Sequence, residues 1–507
     1  MSVRSTVRKL AALAAVLGLG LPLAGCTSDP RPAPQKSPSA AQQLQDLDSY
    51  YDQQLHWQSC GSVVECATVK VPLDYADPAG QSIELALNRR AAKHAEGSLL
   101  VNPGGPGGSG LDLVQNSAQL LFSQQLQQHY NIVGFDPRGV GKSTPIACSS
   151  DEQTEQSRQQ NLRAWVPEEQ DKVAAQIEEY AQDCAKNTGK LLGHVDTVSA
   201  ARDMDIIRAV LGEDKLDYLG YSYGTFLGAT YANLFPENTG RLVLDGALDP
   251  QISSAELIKG QAQGFEGEID AWLESCLASG SCPFTGDVKD AKTQLQQFFA
   301  TIEAEPMTAS DGRKVPIIDF VNGFIQPLYD NGLWNMLTTA MAQAVNEDNP
   351  DTILSIADLV AGRNPDGSYD SNSTDALTAV NCLDRPVDAS AKAMAHEAEE
   401  LLRISPTLGK YLAYGEMACD AWAYKATGHP EPLKAAGSAP ILVVGTTGDP
   451  ATPYAWSKSL ASQLENGSLL TYKGHGHTAY GRSNQCITDA VDGYLVDGKM
   501  PADGTTC

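Results

Sequence analysis

Gly220-Tyr221-Ser222-Tyr223-Gly224 follows an apolar segment, Leu216 to Leu219, and precedes a helix-compatible run from Thr225 to Phe235. A serine flanked in this way by glycines suits a sharp strand-to-helix turn, where larger side chains would collide with the backbone. Such a turn lifts the hydroxyl of Ser222 to the edge of a sheet. It also leaves the N–H of Tyr223 at a helix N-terminus, without an intrahelical acceptor. The G-x-S-x-G pattern is short and arises by chance, and a plain glycine-flanked turn is the alternative reading. The strand before it and the helix after it favour a nucleophile.

A hydroxyl is a weak nucleophile, so a base and an orienting acid are expected downstream, in the order Ser, Asp, His. Ile441 to Val444 reads as a strand and runs into Gly445-Thr446-Thr447-Gly448-Asp449-Pro450. Leu469 to Tyr472 reads as another strand and leads to Gly474-His475-Gly476-His477-Thr478. Asp449 is therefore the candidate acid, its alternative being an ordinary turn aspartate before proline. Two histidines compete for the base. His477 is chosen because a Gly-His-Thr ending resembles the usual hydrolase base, and His475 is then a neighbouring polar loop residue.

Other apolar runs complete the pattern: Ser98 to Val101, Asn131 to Phe135 and Arg241 to Asp245, each separated from the next by helical stretches. Ser62 to Leu87 reads as an opening antiparallel hairpin. Short buried strands alternating with helices predict a mostly parallel sheet covered on both faces, the α/β-hydrolase arrangement. Between about Pro250 and Glu431 the apolar residues recur at helical spacing, with no convincing buried strand. The expected organisation is a core of 46–250 and 432–507 interrupted by a helical cap, 251–431, over the carboxyl ends of the strands.

Acyl transfer needs donors for the developing oxyanion. The loop Asn102-Pro103-Gly104-Gly105-Pro106-Gly107-Gly108-Ser109-Gly110 follows the first strong strand, and the N–H groups of Gly105 and Tyr223 are the candidates. A phosphate loop is the rival reading, but its Lys-Ser/Thr ending is absent here. The stretch Gly139 to Ser143 contains a local Gly-Lys-Ser without the first glycine of that motif. Asp136 to Ser143 is read as a structural turn, with Asp136 and Arg138 paired to each other or to loops.

Together, Asn102 to Gly107, Phe135-Asp136-Pro137-Arg138-Gly139-Val140-Gly141, Gly220 to Thr225 and the late Gly-Asp and Gly-His loops resemble the prolyl- and tripeptidyl-aminopeptidase hydrolases. The likeness is greatest to the secreted bacterial tripeptidyl-aminopeptidase-like proteins and covers about Leu55 to Cys507. Asn102-Pro103 stands where His-Gly is more usual. The resemblance implies release of short peptides from a free N-terminus through an acyl-enzyme. Such a reaction needs anionic groups for the substrate's ammonium. Asp384, beside Cys382, is the preferred candidate, with Glu266 or Glu268 as others, and a solvated surface carboxylate is the alternative in each case.

The N-terminus carries Arg4, Arg8 and Lys9 before an apolar stretch, Leu10 to Leu23, too short to span a bilayer comfortably. It ends Leu23-Ala24-Gly25-Cys26, which resembles a bacterial lipobox, so residues 1–25 are read as a lipoprotein signal and Cys26 as the acylated N-terminus. The alternative is an ordinary secretory signal with a chance cysteine. Residues 26–45, rich in Ser, Pro, Ala and Gln, read as a flexible tether. Export to the outer face of the cell membrane follows, with the lipid as the sole membrane contact.

Setting Cys26 aside from the eleven cysteines leaves ten, an even number that points to disulfides in an oxidising compartment. Many connectivities are open. Proximity along the chain suggests Cys60–Cys66, Cys148–Cys184, Cys276–Cys282, Cys382–Cys419 and Cys486–Cys507. No metal-type Cys or His spacing accompanies them, and neither a metal nor an organic cofactor is expected. The net charge of −26 would repel phosphate backbones, so nucleic acid is not an expected partner. A monomer acting on peptides or proteins with a free N-terminus is expected. Two other classes compete: an esterase or lipase on the same triad, which calls for a more apolar cap, and a non-catalytic binding lipoprotein, which the complete triad disfavours.

Overall fold

Leu99, Leu100, Val101, Leu219, Leu242, Val243 and Ile441 to Val444 are all shielded from solvent, as strands covered on both faces must be. The computed structural model describes residues 47–507; the signal segment, Cys26 and the tether lie outside the described residues. The strands are β1 (Gln58–Ser59), β2 (Glu65–Pro72), β3 (Ser82–Arg90), β4 (Gly97–Asn102), β5 (Tyr130–Phe135), β6 (Leu216–Tyr221), β7 (Thr239–Asp245), β8 (Met307–Thr308), β9 (Lys314–Val315), β10 (Ile441–Gly448), β11 (Gly467–His475) and β12 (Thr505–Thr506). Ten of them form one sheet in the order β1-β2-β3-β5-β4-β6-β7-β10-β11-β12. The pairs β1/β2, β2/β3 and β3/β5 are antiparallel and the remaining pairs are parallel. This is the α/β-hydrolase fold.

One layer of helices packs Met204, Ile207, Leu227, Tyr231 and Leu460 against one sheet face. The other face is closed by Val114, Leu126, Ile487, Val491 and Leu495. Register brings the functional ends together: Tyr221 pairs with Asp245, Asp245 with Val444, and Gly448 with His475. The carboxyl ends of β6, β7, β10 and β11 thus lie side by side, and every candidate triad residue hangs from that edge.

Between β7 and β10 the chain is helical, from Ser254–Ser279 to Met417–Ala421, apart from the two-residue strands β8 and β9, which form a small hairpin that periodicity did not reveal. Most of these helices share a core of their own, built on Phe265, Trp272, Phe299, Phe320, Phe324 and Met341. Helix Ser373–Asp384 differs: Ala376, Ala379, Val380, Cys382 and Leu383 pack into the main sheet layer. Short sequence windows cannot separate these two destinations, since both need the same apolar stripe. The five disulfides present are the pairs that chain proximity suggested.

Asp136 and Arg138 do not pair with each other. Asp136 accepts from Ser109 Oγ at 2.6 Å and from the N–H groups of Leu111 and Lys142. Arg138 is fully buried and donates to both oxygens of Asp203 and to the carbonyls of Pro72, Leu73 and His194. Both are structural ties, as a turn of this kind requires. No helix among the described residues is long and apolar enough to cross a membrane.

Candidate active site

Ser222 sits at the junction of β6 and helix Tyr223–Leu234 with φ 55° and ψ −123°, a conformation that non-glycine residues rarely adopt. Its N–H donates to Asp245 O, and Thr225 Oγ1 caps its carbonyl at 2.6 Å. The flanking glycines are required by close approach. A Cβ on Gly220 would strike the carbonyl of Gly224, and one on Gly224 would lie 2.8 Å from Asn102 Oδ1. Strain at Ser222 is therefore held by packing on both sides, and the hydroxyl stays at the sheet edge.

His477 Nδ1 lies 2.9 Å from each carboxylate oxygen of Asp449. Asp449 is buried and also accepts from the N–H groups of Ala451, Thr452 and Thr478 and from Thr452 Oγ1. That many donors hold the carboxylate in place and aim it at the ring. The His477 ring lies against Gly246, where a Cβ would come 3.2 Å from Cε1; Gly246 directly follows the Asp245 carbonyl that holds Ser222. Of the two histidines, the one that meets Asp449 is His477. His475 is half exposed and its Nδ1 lies 3.0 Å from Glu268 Oε2.

The glycine-rich loop passes beside the elbow. A Cβ on Gly104 would lie 2.6 Å from Tyr221 O and 2.8 Å from Ser222 Cβ, so glycine alone permits that approach. The Gly104 N–H is taken by Asn102 Oδ1 at 2.9 Å. Among the described residues, neither the Gly105 nor the Tyr223 N–H donates to a protein acceptor. Two free backbone donors beside the half-buried Ser222 make an anion-binding corner.

Residues 405–507 match the family model described as TAP-like protein. Over 462 residues the chain is 35% identical to serine protease Hip1 of Mycobacterium tuberculosis, with 87% of each chain covered. It is 35% identical over 505 residues to carboxylesterase B of the same species, covering 96% of this chain and 94% of that one. It is 32% identical over 475 residues to tripeptidyl aminopeptidase of Streptomyces lividans, covering 89% and 86%. The chain belongs to the TAP-like α/β-hydrolases. It is a serine hydrolase.

In this TAP-like hydrolase the three carboxylates proposed for an ammonium part ways. Asp384, the preferred candidate, is buried, and both its oxygens are occupied by Thr197, Oδ1 by the N–H at 2.8 Å and Oδ2 by the hydroxyl at 2.6 Å. Burial raises its pKa to about 6, against the two Thr197 hydrogen bonds and Arg385, which lower it. It is an internal tie and offers no oxygen to a ligand. Glu266 is likewise consumed, by Ser405 Oγ, by Thr407 N and Oγ1, and by Lys292.

Glu268 remains. Its side chain is 3% exposed, Oε2 faces His475, and Oε1 is buried with no partner. Burial pushes its pKa up, opposed by the hydrogen bond from His475 and helped by the charge of Asp449. An unpaired buried carboxylate oxygen is costly, and an ammonium group is the chemical complement that relieves it.

Several residues of the TAP-like site escaped sequence reading. Asp245 accepts from Ala479 N and Tyr480 N and anchors the histidine loop to β7; burial raises its pKa to about 6. A carboxylate ending the run Arg241 to Asp245 was the available signal. Arg482 donates to the carbonyls of His475, His477 and Thr478. Tyr329 O accepts from His477 N at 2.7 Å, and its ring meets the imidazole edge-on at 5.4 Å. No short motif marks Arg482, whose partners are main-chain carbonyls of the histidine loop, or Tyr329, whose partner His477 is distant in the chain.

Proposed function

We propose that this chain is an exported, lipid-anchored serine exopeptidase that releases short peptides, tripeptides or single residues, from a free N-terminus through an acyl-enzyme. Ser222 Oγ attacks the scissile carbonyl and its proton passes to His477 Nε2. Asp449 orients the ring and stabilises its charged form. The N–H groups of Tyr223 and Gly105 receive the oxyanion. The peptide C–N bond breaks as the imidazolium protonates the leaving amine, and water then releases the acyl group by the same steps. Residues 251–431 act as a cap over this edge, with 46–250 and 432–507 as the core, and the lipid on Cys26 is the membrane contact.

The observation that carries the exopeptidase reading is Glu268, whose unpartnered oxygen lies on a helix packed against the acid and base loops: a Cβ on Gly264 of the same helix would strike the carbonyl of Pro450. A carboxylate fixed at one place against the acid and base loops turns the distance to the ammonium into a ruler for the number of residues removed. Tripeptidyl aminopeptidase among the relatives supports the same reading. The relative named carboxylesterase B favours a second, ester hydrolysis on the same triad.

Chromogenic tripeptidyl and aminoacyl amides, with free and blocked N-termini, assayed beside a short-chain ester, decide between them. Free-amine amides are expected to react far faster than blocked ones. Equal rates for the two would remove the exopeptidase reading, and ester turnover alone would establish the second. A fluorophosphonate is expected to label the wild type and not Ser222→Ala.

A further inference from the structure

Helix Ser373–Asp384 touches the oxyanion corner at both of its ends. At its first turn it meets the glycine-rich loop backbone to backbone: a Cβ on Gly107 would lie 2.5 Å from Ser373 O, 3.1 Å from Ala376 Cβ and 3.2 Å from Leu377 N. Gly107 directly follows the Gly105–Pro106 step, so this contact fixes the strand of loop that carries the Gly105 N–H. The helix is itself fastened to the core on that side. Asn372 Nδ2 donates to Gly139 O and Ile146 O, and Asp375 accepts from Cys148 N and from Tyr180 OH.

At its last turn, Asp384 takes both the N–H and the hydroxyl of Thr197. Thr197 Oγ1 lies 2.6 Å from Tyr223 OH. A threonine hydroxyl has one proton, and here it goes to the carboxylate, so Tyr223 must be the donor to Thr197. The chain Tyr223 OH to Thr197 Oγ1 to Asp384 Oδ2 is buried at every member. It pins the side chain of the residue whose main-chain N–H is the other oxyanion donor. The next residue, Arg385, lies over the Phe226 ring at 5.1 Å, one turn further along the same elbow helix. The disulfide Cys382–Cys419 holds this end in turn.

We infer that helix Ser373–Asp384 is a brace that presets both oxyanion donors, and that Thr197 and Asp384 are positioning residues for catalysis acting through Tyr223. Donors that are already aimed cost no reorganisation when charge develops, which is why the benefit appears in turnover and not in ground-state binding. The inference rests on the assignment of the Tyr223 and Gly105 N–H groups to the oxyanion.

The test compares Tyr223→Phe, Thr197→Val and Thr197→Ser with wild type and Ser222→Ala in the full chain. Active sites are titrated with a fluorophosphonate, so that kcat is expressed per competent serine and loss of folded protein drops out. Tyr223→Phe and Thr197→Val are expected to lower per-site kcat by about 10-fold or more, short of the roughly 100-fold typical of deleting a donor outright. KM is expected to stay within about 2-fold, and Thr197→Ser to restore turnover. If Thr197→Val does not fold, Tyr223→Phe, which removes one oxygen atom, carries the test. Per-site kcat unchanged in Tyr223→Phe, with Ser222→Ala inactive, overturns the brace and leaves the proposed function standing. Activity surviving in Ser222→Ala overturns both.

Discussion

Glu266 and Glu268 stand two positions apart on one helix, about 200° around its axis, and so face opposite ways. That offset decides their chemistry. Glu266 turns into the helical domain and meets Ser405, Thr407 and Lys292; Glu268 turns to the histidine loop and keeps one oxygen free. Glu268→Gln is expected to raise KM for free-amine tripeptidyl amides by about 10- to 100-fold, the worth of a charge-assisted hydrogen bond, while sparing ester hydrolysis. The sign with pH follows from the carboxylate: only the ionised form holds an ammonium, and burial raises its pKa. KM for free-amine substrates should therefore climb on acidification, beginning at a higher pH than for an ordinary glutamate. Steady-state kinetics across pH on amide and ester substrates check both. Asp449→Asn should cut kcat by roughly 10⁴-fold, because the amide favours the wrong imidazole tautomer.

The long helix Ser254–Ser279 reaches the acid loop only because Gly260 and Gly264 present no side chain. A Cβ at Gly260 would strike the Trp456 ring, and one at Gly264 the Pro450 carbonyl. Gly264→Val is expected to push the helix, and Glu268 with it, away from the Asp449 loop. Amide turnover should fall by about 10-fold or more, with a smaller loss for the ester, which makes no use of Glu268. Parallel measurement of kcat/KM on the two substrates checks the split, and an equal loss on both would locate the damage at Asp449 alone.

Charge and burial across the molecule set its response to acid. Asp245 and Asp384 are pushed up to about 6, and burial also raises Asp136, Asp203, Asp319, Asp375 and Asp492. For a carboxylate with a raised folded pKa, the native state binds more protons than the unfolded chain between about 3.8 and 6, so stability falls as pH rises through that window. The net charge of −26 acts in the same direction, since acidification relieves self-repulsion. Melting temperature should be higher at about pH 5 than at pH 8. Carboxylates held down by partners, such as Glu155 beside Arg363, lose their contribution only at lower pH. A melting temperature that rose steadily from pH 5 to 8 would contradict this balance.

The strand–loop grammar was legible because it is local. Ser222 between glycines, Asp449 after one strand and His477 after the next each follow from an apolar run meeting a turn, and a parallel sheet aligns such ends without further instruction. Chain proximity likewise sufficed for the disulfides, whose partners lie 6 to 37 residues apart. The roles of the carboxylates were not legible. Asp384, Glu266 and Glu268 are alike as residues, and what separates them is whether Thr197, or Ser405 and Thr407, or, for one oxygen of Glu268, no donor stands opposite; the partners of Asp384 and Glu266 lie 139 to 187 residues away. A buried charge takes its function from the groups that desolvate and pair with it, and that pairing exists only once distant elements have packed.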